Sequence, residues 1–174
     1  MSFSILTTIR VFLAPNHRIS CRRKFWRRIL KDLELRGGGR HESGAFLLGE
    51  KTNGHLRVRD VVFYDELDPT AYSTGVCVLR GDAFAKLWTI CRELQLTVIA
   101  DVHTHPGAAR QSEDDRTNPM VARAGHVAII VPRYAGPPVI GSQLGIFEYR
   151  GGHAWQQQNE HFTGNFFYTG WLAY

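Results

Sequence analysis

The segment Leu96-Thr97-Val98-Ile99-Ala100-Asp101-Val102-His103-Thr104-His105-Pro106 determines how the rest of the chain is interpreted. Its first five residues are mostly apolar and β-branched, which is typical of a buried strand. Side chains two residues apart leave the same face of a strand, so the imidazoles of His103 and His105 point the same way and Thr104 points the other way. Two neighbouring imidazoles that avoid positive charge are natural ligands for a divalent cation.

A serine and an aspartate follow these histidines at the spacing of a helix start. Pro106 ends the strand, and the sequence Ser112-Glu113-Asp114-Asp115 then offers a serine N-cap with an acid at the third helical position. Such a turn brings the carboxylate of Asp115 back towards the strand end. Two histidines and one carboxylate leave the fourth position of a tetrahedral zinc ion open to water, as in catalytic zinc sites.

The length and composition are those of one folded domain. The 174 residues are 44% hydrophobic, which excludes a wholly disordered chain and predicts a single domain over residues 1–174. The 21 basic and 16 acidic residues give a net charge of +5, which favours acidic partners without naming one. Three scattered cysteines without a CxxC predict reduced thiols and a cytoplasmic location. No segment has the length of a membrane span, and residues 1–15 make a poor secretory signal.

The periodicity of apolar residues predicts alternating helices and strands. The predicted helices cover residues 16–35, 81–94 and 112–124, the last one shortened or kinked by Pro119. The predicted strands cover residues 42–48, 55–67 (one strand or two), 76–79, 96–105, 126–131, and a hairpin of 144–149 with 153–157. Residues 5–15 are either a short strand or a loose lead-in. This order predicts one α/β domain with a curved, mixed sheet.

Two stretches each allow two interpretations. The helix with its basic residues between Arg18 and Arg28 presents either a solvated face or a docking surface for an acidic partner. The aromatic C-terminal tail, residues 158–174, packs either on its own domain or at an interface with another chain.

A zinc hydrolase also needs a base and a donor for the oxyanion. Glu42 is the best candidate base, because it opens a buried strand where a carboxylate is costly unless it has a partner or a task. Ser112 can offer its hydroxyl to a tetrahedral intermediate. Asp101 shares the strand face of the two histidines, so it is either an orienting partner or an ordinary acid at a strand edge.

Together these residues resemble the JAMM motif of the JAB/MPN family of zinc metallo-isopeptidases. The family pattern is a glutamate on an early strand, then His-Ser/Thr-His-Pro, then Ser-x-x-Asp. Here the pattern falls on Glu42, residues 103–106 and residues 112–115, and residues 16–157 follow the element order of that fold. The loop between the second histidine and the serine is one residue shorter than in the family. Asp114 is therefore an alternative to Asp115 as the third ligand, although Asp115 keeps the Ser-x-x-Asp spacing.

The resemblance implies a fold, a cofactor and a role for each residue. It implies a JAB/MPN-like domain whose curved mixed sheet is flanked by helices, layered as in cytidine deaminases. One Zn²⁺ per chain would be bound by three ligands, with a general base that later acts as an acid, an oxyanion donor and two supporting residues. By the resemblance, the ligands are His103, His105 and Asp115, and the base is Glu42. Ser112 is the oxyanion donor, and Asp101 and Thr104 are the supporting residues.

The resemblance also implies an activity. A zinc-dependent isopeptidase or peptidase of this family would cleave after the C-terminus of a ubiquitin-like protein, in deconjugation or in precursor processing. The chain is similar to stand-alone bacterial members that accompany ubiquitin-like conjugation genes, some of them linked to antiphage defence. The expected partners are a ubiquitin-like protein or its conjugates and E1- and E2-like proteins of the same pathway, with no membrane and no nucleic acid. Loops 68–75 and 132–143 are predicted to form the walls of the substrate groove.

Two other classes of function compete with this one. A non-catalytic scaffold of the same fold is the main alternative, although such members lack part of the motif. The basic helix suggests a nucleic-acid function, but the chain matches no nucleic-acid module. A nucleoside deaminase needs an H-x-E and a P-C-x-x-C, and neither occurs in the sequence.

Overall fold

Eight strands form one mixed sheet in the structure, a computed structural model that describes residues 17–52, 54–158 and 166–170. The strands are β1 Ile19–Arg22, β2 Gly44–Thr52, β3 His55–Phe63, β4 Thr97–Thr104, β5 Val127–Val131, β6 Gly145–Gly151, β7 Ala154–Gln157 and β8 Phe167–Gly170. The helices are α1 Arg23–Gly37, α2 Tyr64–Leu67, α3 Gly81–Leu94 and α4 Glu113–Thr117, with 3-10 turns at Arg133–Ala135 and Gly141–Gln143. None of the helices in these ranges is both long enough and apolar enough to cross a membrane.

The strand that carries the histidines lies inside the sheet. The strand order is β7-β6-β5-β4-β2-β3-β1-β8, and β4 runs antiparallel to β2 and parallel to β5. At the end of β4, His103 pairs with Gly44 on one side and with Ile130 on the other. Two neighbouring strands therefore fix the backbone of His103. The parallel and antiparallel pairs confirm the predicted mixed sheet of an α/β domain.

Helices cover both faces of the sheet. On one face α1 buries Trp26, Ile29 and Leu33 in a core shared with alternate residues of β2, β4 and β5. On the other face α3 buries Leu87 and Cys91 in a second core. Each fully buried large aliphatic side chain contributes about 1.5–3 kcal/mol, so these two cores hold the sheet in place. The amphipathic helix predicted for residues 81–94 is confirmed.

The first predicted helix begins later than its pattern indicated. Residues 19–22 form β1, which runs parallel to β3 on one side and to β8 on the other, and the helix starts at Arg23. Ile19 and Cys21 are buried in the sheet, and pairing with two strands outweighs the local helical spacing. The helix ends at its glycines: Gly38 adopts φ +57° and donates its N–H to the carbonyl of Glu34.

Three further boundaries differ from the sequence prediction or refine it. The strand predicted over residues 76–79 is wrong: this segment pairs with no strand of the described residues, and the Val78 N–H donates to the carbonyl of Ala71. The stretch 55–67 is one strand followed by the short helix α2. The helix predicted from Ser112 ends at Thr117, before Pro119, which lacks the N–H needed to continue it. The prediction for residues 5–15 lies outside the described residues.

The hairpin and part of the tail are as predicted. Strands β6 and β7 pair antiparallel around Gly151, which confirms the predicted hairpin. In the tail, residues 167–170 form β8 beside β1, and the ring of Phe167 meets Trp26 edge-on with centroids 4.9 Å apart. This described part of the tail packs on its own domain, whereas residues 159–165 and 171–174 lie outside the described residues.

Candidate metal centre

The end of β4 brings two imidazoles together. His103 Nε2 lies 3.1 Å from His105 Nε2, and both side chains are largely buried. The backbone holds His105 just beyond the strand: its N–H donates to the carbonyl of Val131 at 2.9 Å, and its carbonyl accepts from the Tyr134 N–H at 2.8 Å. The two histidines therefore converge from a fixed backbone, as the alternation of a strand predicts.

Asp115 completes a cluster of three metal-ligating side chains. Its Oδ1 lies 3.3 Å from His103 Nε2, and its Oδ2 lies 3.2 Å from His105 Nε2. His103, His105 and Asp115 form a group able to hold a metal ion within the part of the chain that the structure describes. Asp114 only lines the adjacent cavity. The structure thus brings Asp115, rather than Asp114, to the histidines.

Ser112 and Asp115 also bind each other. Ser112 is the N-cap of α4, and its Oγ accepts a hydrogen bond from the Asp115 N–H at 3.1 Å. In return, Asp115 Oδ2 accepts hydrogen bonds from the Ser112 N–H at 2.7 Å and from the Ser112 hydroxyl at 2.8 Å. Because Oδ2 is held by these contacts, Oδ1 is the oxygen left for a metal ion.

The spacing of the donors fits a tetrahedral divalent ion. Ligand atoms at bonds of roughly 2.0–2.1 Å around a tetrahedral ion lie about 3.3 Å from each other. The two Nε2 atoms are 3.1 Å apart, His103 Nε2 is 3.3 Å from Asp115 Oδ1, His105 Nε2 is 3.2 Å from Asp115 Oδ2, and one ligand atom from each residue lies within 4.8 Å of the others. Two imidazole nitrogens and one carboxylate are ligands suited to such an ion, and they occupy three of its four positions.

The charges of the cluster are balanced within it. Burial alone would raise the pKa of Asp115, but hydrogen bonds from His103 and His105 lower it well below its usual range. Burial likewise disfavours a charged His103, but hydrogen bonds to Asp101 and Asp115 raise its pKa to about 10. In the metal-free protein these contacts therefore favour the protonated, positively charged form of His103.

Glu42 lies beside the cluster, two residues before the start of β2. Its Oε1 is 3.7 Å from His105 Nε2, and its backbone N–H donates to the carbonyl of Gly75 at 3.0 Å. Burial raises the pKa of Glu42, and this effect exceeds the opposing influence of His105 and His103. A partly buried carboxylate with a raised pKa beside such a cluster is suited to receive and return a proton.

Thr104 supports this glutamate from the opposite face of β4. Its side chain is fully buried, and its Oγ1 accepts from the Ser43 N–H at 3.0 Å. The Ser43 hydroxyl in turn donates to the carbonyl of Leu33 in α1 at 2.8 Å. Thr104 therefore does not contact the histidines. It joins β4 to the residue after Glu42, which fixes where Glu42 leaves the sheet.

Asp101 lies under His103, as its position on the same strand face predicts. Its Oδ2 is 3.4 Å from His103 Nδ1, and its Oδ1 is 2.6 Å from Nε2 of His126, a buried residue just before β5. Sequence reasoning missed His126, because it has no ligand spacing. The one sign that His126 could lie near the site was its position just before β5, which runs parallel to β4.

A cavity of about 680 Å³ opens over the cluster. Glu42, Asp101, His103, Ser112 and Asp115 contribute to its polar side. Its other walls come from residues 76–79 with Phe84, from residues 118–120, and from Trp155. The predicted walls, loops 68–75 and 132–143, do not line this cavity, because residues 76–79 and the chain after α4 lie there instead.

Solved structures share this fold. A solution structure of protein DSY2949 from Desulfitobacterium hafniense superimposes with a TM-score of 0.59 at 14% sequence identity, covering 81% of this chain and 90% of that one. A solution structure of a protein from Salinibacter ruber (strain DSM 13855) gives a TM-score of 0.50 at 23% identity, covering 75% and 85%. At such identities the likeness concerns the fold alone.

Sequence comparison connects the chain to a named relative and to a family. A protein of Sinorhizobium fredii (strain NBRC 101917 / NGR234) described as "Probable metalloprotease y4jG" is 27% identical over 99 residues, which are 56% of this chain and 60% of that protein. The matched region thus spans less than two thirds of that relative. The family pattern of Prok-JAB, "Prokaryotic homologs of the JAB domain", matches residues 23–140, which include the whole cluster. Since this match covers more than half of the 174 residues, the chain belongs to the family of prokaryotic homologs of the JAB domain.

Proposed function

We propose that the chain is a zinc-dependent peptidase that cleaves after the C-terminal tail of a ubiquitin-like protein. The observation that carries this proposal is the cluster itself: three ligand atoms within 4.8 Å of one another, with the half-buried carboxylate of Glu42 3.7 Å from His105 Nε2. The S. fredii relative's description as a metalloprotease supports the same class of reaction. The donor set of two imidazoles and one carboxylate favours zinc among the common divalent ions.

Each site residue has a part in the reaction. His103, His105 and Asp115 would hold the zinc ion, which would supply a Lewis acid and lower the pKa of a water at its fourth position. Glu42 removes a proton from the attacking water and delivers it to the nitrogen of the leaving amine. The raised pKa of Glu42 suits both steps, because the carboxyl group must hold the proton between them.

Ser112 has the geometry of a movable donor. Its hydroxyl now donates to Asp115 Oδ2 at 2.8 Å, and the residue lines the cavity. A serine hydroxyl turns readily about its side-chain bond, so Ser112 can redirect this hydrogen bond to the oxyanion that forms on the scissile carbonyl. While the hydroxyl rotates, Asp115 Oδ2 still accepts a hydrogen bond from the backbone N–H of Ser112.

The choice of a ubiquitin-like substrate rests on the motif rather than on the cavity. An extended tail would enter along residues 76–79, which pair with none of the strands in the described ranges, and would lie with its terminal carbonyl at the cluster. We place the protein in the cytoplasm, with E1- and E2-like proteins of a ubiquitin-like conjugation pathway as further partners. Both isopeptide and linear bonds are candidate targets.

The test compares the parent with Glu42→Gln and with Glu113→Gln, a matched carboxylate loss at an exposed position of α4. Ubiquitin-like proteins that carry C-terminal extensions are incubated with each protein, with and without a chelator. We expect cleavage by the parent and by Glu113→Gln, abolished by the chelator, and at least 100-fold slower cleavage by Glu42→Gln. Turnover by Glu42→Gln at the parental rate would exclude this base, and chelator-resistant turnover would exclude a metal enzyme.

A further inference from the structure

The helix that carries Asp115 has no buried residue of its own, and the nearest packing on a core comes from Met120 and Val121, which follow it in the chain. Helix α4 is five residues long, and none of its residues is buried. The hydrogen bonds between Ser112 and Asp115 fix the shape of its first turn, but they lie within the segment and cannot fix its position on the sheet. A short helix without a buried face gains no stability from packing.

One described contact joins the end of α4 to the far edge of the sheet. The indole Nε1–H of Trp155, on the edge strand β7, donates to the backbone carbonyl of Arg116 at 3.1 Å. This carbonyl lies in the last turn of α4, where helical carbonyls lack a partner within the helix. Strand β7 is three places from β4 in the sheet, which corresponds to about 14 Å at the usual strand spacing.

The helix is therefore held at two adjacent residues from two directions. The histidines of β4 face the side chain of Asp115, and Trp155 binds the next peptide carbonyl. Trp155 is itself placed by Tyr149 on β6, whose ring lies 4.9 Å away in an edge-on arrangement and whose residue pairs with Trp155 in the sheet.

We propose that Trp155 is a positioning residue for the metal centre: its indole N–H fixes α4 so that Asp115 meets His103 and His105 at ligand distance. Trp155 lies beyond residues 23–140, the segment matched by the family pattern, so this support comes from a part of the chain that the family match does not include. The inference rests on the metal site of the proposed function and adds a residue to it.

The experiment uses the full chain with Trp155→Phe and, as the matched control, Tyr149→Phe. Trp155→Phe removes the indole N–H and keeps an aromatic ring beside Tyr149. Tyr149→Phe removes a different hydrogen bond of the same hairpin, in which the Tyr149 hydroxyl accepts from the His153 N–H at 3.1 Å, and leaves α4 untouched. Zn²⁺ affinity is measured by competition with a chromophoric chelator, and Co²⁺ replaces zinc to report ligand geometry through its visible absorption.

We expect Trp155→Phe to weaken Zn²⁺ binding about 10-fold and to change the Co²⁺ spectrum, since outer-shell supports of metal ligands have effects of this size. Tyr149→Phe should bind zinc within about twofold of the parent, even if both variants unfold at lower denaturant concentration. Equal affinity and an unchanged spectrum for Trp155→Phe would overturn the inference. A parent that bound no metal would overturn the proposed function as well.

A variant with the benzothiophene analogue of tryptophan at position 155 replaces the N–H with sulfur and keeps the shape of the side chain. If Trp155→Phe does not fold, this variant decides the question. Weakened zinc binding in it supports the role of the N–H, and parental binding contradicts it.

Discussion

The Oδ1 atom of Asp101 lies 2.6 Å from Nε2 of His126, and both residues are buried. The other oxygen of the same carboxylate faces Nδ1 of His103. Burial would raise the pKa of Asp101, but the hydrogen bonds with His103 and His126 lower it, so the carboxylate stays ionised. An ionised carboxylate at Nδ1 keeps the proton on that nitrogen and leaves Nε2 of His103 free for a metal ion.

We therefore expect His126→Gln to weaken zinc binding about 10- to 100-fold, although His126 is not a ligand. A glutamine amide keeps a donor but not the rigid ring that places it, so the 2.6 Å contact with Asp101 weakens and Asp101 can turn away from His103. The measurement is zinc affinity by chelator competition, with His153→Asn as the control because His153 is an exposed imidazole in the β6–β7 turn. Parental affinity in His126→Gln would show that Asp101 orients His103 without help.

The metal-free protein should lose stability as the pH rises. The pKa of His103 is raised to about 10 in the fold, against about 6.5 in an unfolded chain. The stabilising contribution of its protonated form is therefore complete below about pH 6.5 and is lost as the pH rises towards 10, with a slope of at most about 1.4 kcal/mol per pH unit.

Urea unfolding with excess chelator at several pH values between 6 and 10 tests this linkage. We expect the stability difference between the parent and His103→Gln to shrink across that range. A difference that stays constant with pH would show that His103 is neutral in the metal-free fold. Zinc binding should strengthen over the same range, since the ion displaces the proton from His103.

The ligands were predictable from the sequence because they are close in it. His103 and His105 follow strand alternation, and the N-cap spacing points to Asp115, although the short loop before Ser112 left Asp114 as an alternative until the structure brought Asp115 to the histidines. His126 and Trp155 reach the site only through the pairing of β4 with β5 and of β6 with β7. No local pattern reports such pairing, and this is why sequence reasoning missed both.

The wrong boundary at residues 19–22 has a related cause. Ile19 fits the apolar stripe of the helix that follows, so its spacing favoured a helix. The strand forms because β3 and β8 lie on either side of it, and these partners are distant in the sequence. Propensity is a weak guide wherever tertiary hydrogen bonds decide the conformation.

Asp114 and Asp115 should respond differently to the same substitution. We expect Asp115→Asn to abolish stoichiometric zinc binding, because it removes the charge that faces His103 Nε2 at 3.3 Å. Asp114→Asn should bind zinc like the parent, since Asp114 lines the cavity without joining the cluster. Zinc content after dialysis measures both. Zinc loss in Asp114→Asn together with parental binding in Asp115→Asn would assign the third ligand to Asp114. It would mean that α4 turns a different side chain towards the histidines.

The basic start of α1 should be a source of instability. The first turn holds no acid, and Arg23 and Lys24 place positive charge at the positive end of the helix dipole. Their neighbours four residues on, Arg27 and Arg28, add like-charge repulsion. We expect Arg23→Glu to stabilise the fold by about 0.3–1 kcal/mol in urea unfolding at low salt.

Lys31→Glu changes the net charge equally but lies beyond the first two turns, so it is the control for this effect. Equal stabilisation by both variants would assign the gain to net charge rather than to the helix dipole. Full activity of Arg23→Glu would favour the solvated face over a docking surface for an acidic partner.

Thr104 should affect the fold and the base more than the metal. Thr104→Val keeps the shape of the side chain but leaves the buried Ser43 N–H without its acceptor, which costs about 1–3 kcal/mol. Because Ser43 follows Glu42 directly, the loss should also shift Glu42 and lower kcat. Zinc affinity should stay within about twofold, since Thr104 points away from His103 and His105. Thr104→Ser keeps the hydroxyl acceptor, so it should have parental stability and kcat. A low kcat in Thr104→Ser would show that this hydrogen bond does not control the position of Glu42.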